Sequence, residues 1–304
     1  MKITVVGSSN TDMIIRVPRI PLPGETILGG QFSMAAGGKG ANQAVAAARA
    51  GGDVIFIARV GNDLFGNQAL TGFEAEGIDI SYVARDQNLP SGVAEIFVAE
   101  NGENSIAVAS GANANLRPAD IQQAEAAIAD VGVLVLQLES PLRTVEKAVE
   151  IAVKNGVPVI LNPAPAQTLS EKLLNQISFI TPNESEAQQL TGIPVVDAES
   201  AMRAANYLHK QGVENVIITM GATGAYVSST EFKSLVPAFQ VNSVDSTAAG
   251  DVFNGTLAVA LLEGRGLLEA VRFASAAAAL SVTRPGAQPS APTRHEIMQL
   301  LAKT

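Results

Sequence analysis

Residues 131–161 read VGVLVLQLESPLRTVEKAVEIAVKNGVPVIL. The stretch begins and ends with apolar runs of strand length, and the segment between them, 143–154, repeats apolar residues at helical spacing. A strand, a helix and a second strand in this order are typical of a parallel sheet whose connections cross over through helices. The stretch therefore predicts an α/β protein.

The same alternation extends along most of the chain. It predicts strands over 3–7, 54–60, 131–137, 157–161, 177–181, 215–220 and 224–229. It predicts helices over 42–50, 65–76, 119–130, 143–154, 184–191, 197–211, 250–263, 267–282 and 293–302. The expected fold class is α/β, with a mostly parallel central sheet flanked by helices.

Two segments interrupt the alternation. Residues 13–35 contain MIIRV and TILGGQFSM around the turn PLPGE, and residues 92–110 contain two strand-like runs about the turn Asn101-Gly102. We expect these two insertions to meet in a small β-sheet that forms a lid over one edge of the core. Because the chain shows no repeat and no linker, residues 1–304 are expected to form a single domain that carries this lid.

Composition excludes several classes of protein. Of the 304 residues, 47% are hydrophobic and 16% are charged, which suits a large buried core. The net charge of −9 disfavours nucleic acid and anionic membranes as partners, and no apolar run approaches the roughly 18 residues of a membrane span. The chain has no cysteine for disulfides or thiolate chemistry. It opens directly on the strand KITVVG, so a cytoplasmic protein is expected. His209 and His295 are expected at the surface rather than as a ligand pair.

Polar residues follow several of the predicted strands. In an open parallel sheet the ligand lies beyond the carboxyl ends of the strands, so these positions are candidates for the functional site. They are Ser8 to Asp12, Glu139, Asn162, Asn183 to Glu186 and Gly221 to Gly224. Solubility alone explains them poorly, because loops at the opposite edge of the sheet would serve that purpose equally well.

Residues 35–43, AAGGKGANQ, place three glycines around Lys39. The P-loop pattern needs Ser or Thr after the lysine, and Gly40 stands there instead. The dinucleotide fingerprint also fails, since Gln43 occupies its last glycine position, and this disfavours a Rossmann oxidoreductase. The stretch is either a plain glycine-rich turn before a helix or a bend that aims a lysine at a ligand, and the pattern leaves both open.

Residues 242–255, NSVDSTAAGDVFNG, run from small residues straight into a predicted helix. Small side chains leave the first backbone N–H groups of the helix unobstructed, and together with the helix dipole these groups form an anion site. Asp251, in the first turn, is either a helix cap or a base placed to take a proton from a hydroxyl that attacks phosphorus.

These two stretches, together with VVGSSNTD, LQLESP, LNPAPA, TPNESEA and TRPGAQPS in the same order, resemble the signature segments of the ribokinase (pfkB-type) family of carbohydrate and nucleoside kinases. The resemblance covers essentially the whole chain from Ile3 onward, and it is strongest to the branch that acts on ribose. It implies an ATP-dependent kinase that converts D-ribose to ribose 5-phosphate. A kinase for 2-deoxyribose or a nucleoside is the alternative. A non-catalytic sugar-binding protein is disfavoured, since it would need neither Asp251 nor an anion loop.

The resemblance also implies the residues of the site. Asp251 would be the general base, and the backbone amides of Ala248, Ala249 and Gly250 would stabilise charge on the transferred phosphoryl group. The glycines around Lys39 would let the backbone approach the pentose closely. The residues implied in sugar binding are Asn10, Thr11, Asp12, Gly38, Lys39, Gly40, Ala41, Asn42, Glu139 and Asp251.

Cofactors and assembly are implied in the same way. ATP would be held by Asn183, Thr219, Met220, Gly221, Ala222, Thr223, Gly224, Gly250, Asp251 and Ser275. Mg²⁺ would be organised by Asn183 and Glu186, largely through water. K⁺ would be held, mostly by backbone oxygens, at Asp245, Thr247, Ser281, Arg284, Gly286 and Ser290. In the alternative without K⁺, Arg284 pairs with Asp245. A homodimer through the small sheet is implied as well. Two residues depart from the family pattern: Ala248 replaces a frequent glycine, and Ser275 is shorter than the usual amide.

Overall fold

Thirteen strands and eleven α-helices form within residues 1–303, the part of the chain that the computed structural model describes. The strands are β1 (Ile3–Val6), β2 (Asn10–Val17), β3 (Gln31–Gly37), β4 (Val54–Gly61), β5 (Asp79–Asp86), β6 (Gly92–Ala99), β7 (Asn104–Ala109), β8 (Val133–Leu136), β9 (Val159–Leu161), β10 (Phe179–Ile180), β11 (Asn215–Thr219), β12 (Gly224–Ser228) and β13 (Lys233–Pro237). The helices are α1 (Lys39–Arg49), α2 (Leu64–Ala75), α3 (Pro118–Gln123), α4 (Glu125–Ala129), α5 (Leu142–Lys154), α6 (Glu171–Leu174), α7 (Glu184–Thr191), α8 (Ala198–Lys210), α9 (Ala249–Leu262), α10 (Leu267–Ser281) and α11 (Arg294–Leu301).

Within the described residues, nine strands form the large sheet, in the order β13-β12-β11-β10-β9-β8-β1-β4-β5. The strands from β11 to β5 in that order pair in parallel, and β12 and β13 add an antiparallel edge. The expected fold class is confirmed. The two edge strands differ from expectation: β13 and β5 were not predicted, and their residues are largely half-buried or exposed.

The large sheet is covered on both faces, as parallel sheets generally are. Alternate residues of β8 show this, since Val133 and Val135 pack in one apolar cluster and Leu134 and Leu136 in the other. The first cluster includes the buried residues of α1, α9 and α10, and the second includes those of α5 and α8. Strands of this kind read as continuous apolar runs, which is why the central strands were recognised in the sequence.

The small sheet consists of β3, β2, β6 and β7 in that order. The two insertions do meet, because β2 pairs in parallel with β6 over eight residues. The first inserted strand begins earlier than predicted: residues 10–12 belong to β2 rather than to a loop after β1. Asn10 and Asp12 therefore lie two residues apart on one face of a strand of the small sheet.

Helix α1 begins at Lys39, three residues before the predicted start. Its alanines 41, 44, 46 and 47 are fully buried, and α1 packs closely against α9. At Gly255 of α9, a Cβ atom would lie 2.3 Å from the carbonyl oxygen of Gln43. Small residues on both helices thus bring the backbone of α1 against α9. The predicted helix over 119–130 is instead two short helices, α3 and α4, that meet at Ala124.

Candidate active site

Asp251 lies in the first turn of α9 and is 5% exposed. Its Oδ2 accepts a hydrogen bond from Nδ2 of Asn42 at 2.9 Å, and its Oδ1 accepts one from Nε2 of Gln43 at 3.0 Å. The helix has no side-chain cap. The alternative of a helix cap is therefore wrong, since the carboxylate turns away from its own backbone and is held by two amides of α1.

Burial raises the pKa of the Asp251 carboxyl, while the charge of Lys39 and the amides of Asn42 and Gln43 lower it, and the net shift is upward. A carboxylate with a raised pKa that remains fixed by two N–H donors is a suitable proton acceptor for a hydroxyl. Gln43 was not among the predicted site residues. Its position directly after Asn42 was the signal available, but its contact with Asp251 arises only when α1 packs on α9.

Two further buried amides, Gln137 and Asn162, hold the side chain of Gln43. Nε2 of Gln137 donates to Oε1 of Gln43 at 2.6 Å, and Nε2 of Gln43 also donates to Oδ1 of Asn162 at 3.1 Å. Gln137 and Asn162 directly follow β8 and β9. These strand ends carry polar residues, as the sequence indicated. Gln137 and Asn162 are buried, however, and they contact Asp251 only indirectly, through Gln43.

Asp12, Lys39 and Glu139 lie near Asp251, whose charge acts on the pKa of Asp12 and of Lys39, and we call these three residues the Lys39 cluster. Burial, together with the charges of Glu139 and Asp251, raises the pKa of Asp12 to about 6. Burial acts to lower the pKa of Lys39, but the carboxylates of Asp251 and Glu139 outweigh it and the pKa is raised. The structure therefore brings together one cation and three carboxylates that the sequence placed far apart.

Two of the glycines around Lys39 allow close packing within the protein itself. A Cβ on Gly38 would lie 2.7 Å from the backbone nitrogen of Asn10, and one on Gly40 would lie 2.6 Å from that of Ser8. Gly38 also has a φ of 89°, in the left-handed region. These two Cβ positions face the backbone between β1 and β2, so Gly38 and Gly40 permit a close approach of two protein segments.

Glu139 ties the same segments together. Its Oε2 accepts from Oγ of Ser8 at 2.5 Å and from the backbone N–H of Lys39 at 3.0 Å. Three further predicted sugar-binding residues do not present side chains to the Lys39 cluster. Gly40 and Ala41 are buried in the first turn of α1, and Thr11 lies on the opposite face of β2 from Asn10 and Asp12.

A cavity of about 540 Å³ is lined in part by Ser246, Ala249 and Gly250. We call the segment from Ser246 to Asp251, at the start of α9, the anion loop. Of the predicted nucleotide residues, those that line the cavity are Asn183, Thr219, Gly221, Ala222, Gly224, Gly250 and Ser275. Met220 is 4% exposed and packs in the core, so its side chain does not line the cavity. The lining does not include Thr223 or Asp251. The sequence missed an apolar wall that includes Phe239, Val241, Phe253, Ala278, Ala279 and Val282.

The backbone of the anion loop leaves two N–H groups without a protein acceptor among the described residues. Ala248 adopts φ 60°, the one positive φ of a non-glycine residue within the described chain. The N–H of Ala249 donates to the carbonyl of Ser246, so it is not open to a ligand. The N–H groups of Gly250 and Asp251 donate to no protein group in residues 1–303. These two groups, at the positive end of the α9 dipole, can hold an anion.

Asn183 and Glu186 form a capping box at the start of α7. Oδ1 of Asn183 accepts from the N–H of Glu186 at 2.8 Å, and Oε2 of Glu186 accepts from the N–H of Asn183 at 2.9 Å. Burial raises the pKa of Glu186, and the charges of Lys39 and Asp251 also act on this carboxyl. Glu186 is therefore close enough to Lys39 and Asp251 for their charges to act on its pKa.

Asp245 joins the segment before α9 to the segment after α10. Its Oδ1 accepts from the N–H of Thr247 at 2.9 Å and its Oδ2 from the N–H of Gly286 at 2.8 Å. Burial acts to raise the pKa of Asp245, but these hydrogen bonds lower it. Arg284 pairs with Glu296 at 2.5 Å, so the alternative in which it pairs with Asp245 is wrong. The hydroxyls of Ser281 and Ser290 are buried and donate to nearby backbone carbonyls.

The two histidines take no part in the site. His209 bonds the carbonyl of Val213 and the hydroxyl of Ser228, and His295 is exposed on α11. Over residues 1–303, no three His, Asp or Glu side chains are grouped as metal ligands. In the same range, no helix has both the length and the hydropathy to cross a membrane.

A buried carboxylate, the Lys39 cluster and an apolar cavity thus lie close to the N-terminus of α9. The profile described as pfkB family carbohydrate kinase matches residues 1–294, and the chain belongs to this family. The resemblance seen in the sequence motifs is thus confirmed.

Individual relatives cover nearly the whole chain. Ribokinase of Haemophilus influenzae is 50% identical over 299 residues, or 98% of each chain. Deoxyribokinase of Salmonella typhi is 40% identical over 99% of each chain. The structure of Arabidopsis thaliana ribokinase complexed with ribose and ATP is similar with a TM-score of 0.91 at 34% identity, covering 99% of this chain and 98% of that one.

Proposed function

We propose that this chain transfers the γ-phosphoryl group of ATP to the 5-hydroxyl of D-ribose, giving ribose 5-phosphate, with Asp251 as the general base. The observation that carries the proposal is the position of Asp251: the charges of Lys39 and Glu139 act on its carboxyl, and the preceding residue, Gly250, lines the cavity. The relatives that are 40–50% identical and named ribokinase support ribose as the acceptor.

The Lys39 cluster suits a polyol. Hydroxyls donate to carboxylates and accept from ammonium or amide N–H groups, and the cluster offers both. Asn10, Asp12, Lys39, Asn42 and Glu139 would hold the sugar, with backbone contacts from Gly38. Oδ1 of Asn42 is buried without a hydrogen-bond partner, although Nδ2 of the same side chain holds Asp251.

The cavity suits a nucleotide. Its volume lies within the range of small-molecule sites, and its apolar wall would take a flat base, with the phosphates directed toward the anion loop. When phosphoryl transfer begins, the free N–H groups of Gly250 and Asp251 already point at the developing charge, so little reorganisation is required. Asp251 takes the proton of the sugar hydroxyl, which makes the oxygen a competent nucleophile.

The residues present fit Mg²⁺ and K⁺. Oε1 of Glu186 accepts no hydrogen bond from residues 1–303, and a carboxylate oxygen suits Mg²⁺ held partly through water and phosphate. Within the same residues, the carbonyls of Thr247, Arg284 and Gly286 also lack a donor, and they lie in the two segments that Asp245 joins. Backbone oxygens of this kind would hold K⁺. Mg²⁺ would neutralise charge on the phosphates, and K⁺ would fix the anion loop.

We further propose that residues 1–304 form a single domain with the small sheet as its lid, which excludes water from the reacting groups. The outer strands of the lid carry exposed apolar side chains: Phe32 and Met34 are 60% and 52% exposed, and Ile106 and Val108 are 55% and 52% exposed. A second copy of the chain would cover this surface, giving a homodimer. The protein would act in the cytoplasm, with neither nucleic acid nor membrane as partner.

Phosphorylation of 2-deoxyribose is the second candidate, because a deoxyribokinase is 40% identical over nearly the whole chain. The test is kcat/KM, measured by ADP release, for ribose, 2-deoxyribose, fructose and adenosine. Loss of one hydroxyl that pairs with a buried polar group costs about 1–3 kcal/mol, so we expect ribose to exceed 2-deoxyribose by roughly 5-fold or more. A preference for 2-deoxyribose or adenosine contradicts the proposal, and the absence of ADP release with every acceptor would favour a sugar-binding protein.

A further inference from the structure

Asn113 is a buried amide that the proposed mechanism does not use. It lies in the 3₁₀ helix Gly111–Asn115, directly after β7, and is 2% exposed. Its side chain reaches the segment that joins β1 to β2. The N–H of Ser9 donates to Oδ1 of Asn113 at 2.9 Å, and Nδ2 of Asn113 donates to the carbonyl of Ser9 at 3.1 Å.

These two bonds determine the orientation of the Asn113 amide. A backbone N–H only donates and a backbone carbonyl only accepts, so the oxygen and nitrogen of Asn113 cannot be exchanged. Nδ2 of Asn113 has a second hydrogen, which it donates to Oδ1 of Asn10 at 2.7 Å. That bond determines the orientation of Asn10 in turn: its oxygen is occupied, and its NH₂ group is the end left for a ligand.

The NH₂ group of Asn10 faces the open side of the site. It makes no hydrogen bond to residues 1–303, and it does not belong to the buried polar atoms that lack a partner in that range. Asn10 shares a face of β2 with Asp12, whose carboxylate belongs to the Lys39 cluster. A donor at Asn10 therefore stands beside an acceptor at Asp12, the combination that one sugar hydroxyl can satisfy by accepting from the first and donating to the second.

The space around the two amides is closed. A Cβ on Gly92, the first residue of β6, would lie 2.2 Å from Oδ1 of Asn10 and 2.3 Å from Nδ2 of Asn113. Neither amide can swing toward β6, so the orientation of Asn10 depends on the partner that Asn113 offers. The contact also joins the start of β2 to the 3₁₀ helix that follows β7.

We propose that Asn113 is a positioning residue for substrate specificity: by occupying the oxygen of Asn10, it directs the Asn10 NH₂ group at a hydroxyl of the acceptor sugar. The proposal rests on the proposed function in that the ligand of Asn10 is a sugar. If Asn10 were reversed, its oxygen would stand beside the carboxylate of Asp12, and Asn10 would no longer offer a donor to the oxygen of the hydroxyl.

Asn113→Asp tests the assignment, because an aspartate keeps the bond from the N–H of Ser9 but offers Asn10 an acceptor in place of a donor. Asn10 then reverses to donate to residue 113. We expect the Kd for ribose, measured by calorimetry, to rise about 5- to 100-fold, while the KM for ATP changes less than about twofold. Asn115→Ala is the matched control, since Asn115 ends the same 3₁₀ helix, bonds Asp86 and Arg117, and does not touch Asn10. We expect this control to leave the Kd for ribose unchanged.

A double-mutant cycle with Asn10→Ala separates positioning from a structural role. If Asn113 acts through Asn10, adding Asn113→Asp to Asn10→Ala changes the Kd for ribose by less than about twofold. If the two substitutions multiply their effects on the Kd in the double variant, or if Asn115→Ala raises the Kd for ribose equally, the proposal is wrong. Asn113→Ala, which frees Asn10 without repelling it, carries the same cycle if the aspartate variant does not fold. If the wild-type protein binds no ribose, the proposed function fails, and the cycle is then run with the acceptor that the wild type does bind.

Discussion

Asp251→Asn separates a general base from a merely buried carboxylate. In the wild-type protein both oxygens of Asp251 accept amide hydrogen bonds, from Asn42 at 2.9 Å and Gln43 at 3.0 Å. An asparagine offers one oxygen and one NH₂ group, so one of these donors meets another donor. A buried donor left unpaired costs about 1–3 kcal/mol, and we expect the free energy of unfolding to fall by this amount.

The chemical effect of Asp251→Asn exceeds the structural one. A positioned general base contributes about 10²–10⁴-fold, so kcat should fall by at least this factor when the amide can no longer take the proton of the hydroxyl. The Kd for ribose should change by less than about tenfold, since the Lys39 cluster is intact. The measurements are ADP release at saturating ribose and ATP, calorimetric binding of ribose, and thermal unfolding.

Asp63→Asn is the control for this variant. Asp63 caps α2 and accepts from the N–H groups of Gly66 and Ser91, in contacts that involve no predicted site residue. We expect it to lose stability to a similar extent while kcat stays within about twofold of wild type. If Asp251→Asn is folded, binds ribose and keeps more than about a tenth of the wild-type kcat, then Asp251 is not the base and the mechanism is wrong.

Three further predictions follow from the site. Asp12 has a pKa of about 6 in the folded protein against about 4 unfolded, so its contribution to the free energy of unfolding should fall by about 2 kcal/mol as the pH rises from 4 to 6. The apparent affinity for ribose should instead rise through pH 6. Titrations of Asp12→Asn that keep both trends contradict this prediction. Gly255→Ala places a Cβ 2.3 Å from the carbonyl oxygen of Gln43, so the free energy of unfolding should fall by about 1–3 kcal/mol. The kcat should also fall, because α1 moves away from Asp251. Gly72→Ala, whose Cβ meets open space, is the control. At constant Mg²⁺ and ionic strength, K⁺ should activate the desalted enzyme more than Na⁺ does. Asp245→Ala should weaken the response to K⁺ more than it weakens ribose binding. Equal rates in K⁺ and in a bulky organic cation would exclude the K⁺ site.

The central part of the fold could be predicted from the sequence because its strands are buried on both faces and read as apolar runs. The edge strands could not. In β5, which reads DISYVARD, most residues are half-buried, so polar and apolar side chains mix without a clear period. The break between α3 and α4 at Ala124 was also invisible, since no glycine or proline marks it. These features depend on tertiary position rather than on local pattern.

The candidate site shows the same division. Motifs pointed to Asp251 and Lys39, which lie in stretches of small residues, and to Glu139, which follows a predicted strand. Gln43 and Asn113 were missed because an amide has no distinctive pattern of neighbours, and its role is set by what packs against it. Gln43 meets Asp251 across 208 positions of sequence, and Asn113 meets Asn10 across 103. Only the approach of α1 to α9, and the meeting of the two insertions, creates these contacts.

Ala248 connects the strain of the backbone to the chemistry of the loop. A non-glycine residue in the left-handed region costs about 1–2 kcal/mol, and Ala248, at φ 60°, directly precedes α9. The chain tolerates this cost at the point where two N–H groups, of Gly250 and Asp251, are left without a protein acceptor. The strain at Ala248 is difficult to explain by stability, because it opposes stability. It is explained if the loop is held open for a phosphoryl group, which would accept hydrogen bonds from the N–H groups of Gly250 and Asp251.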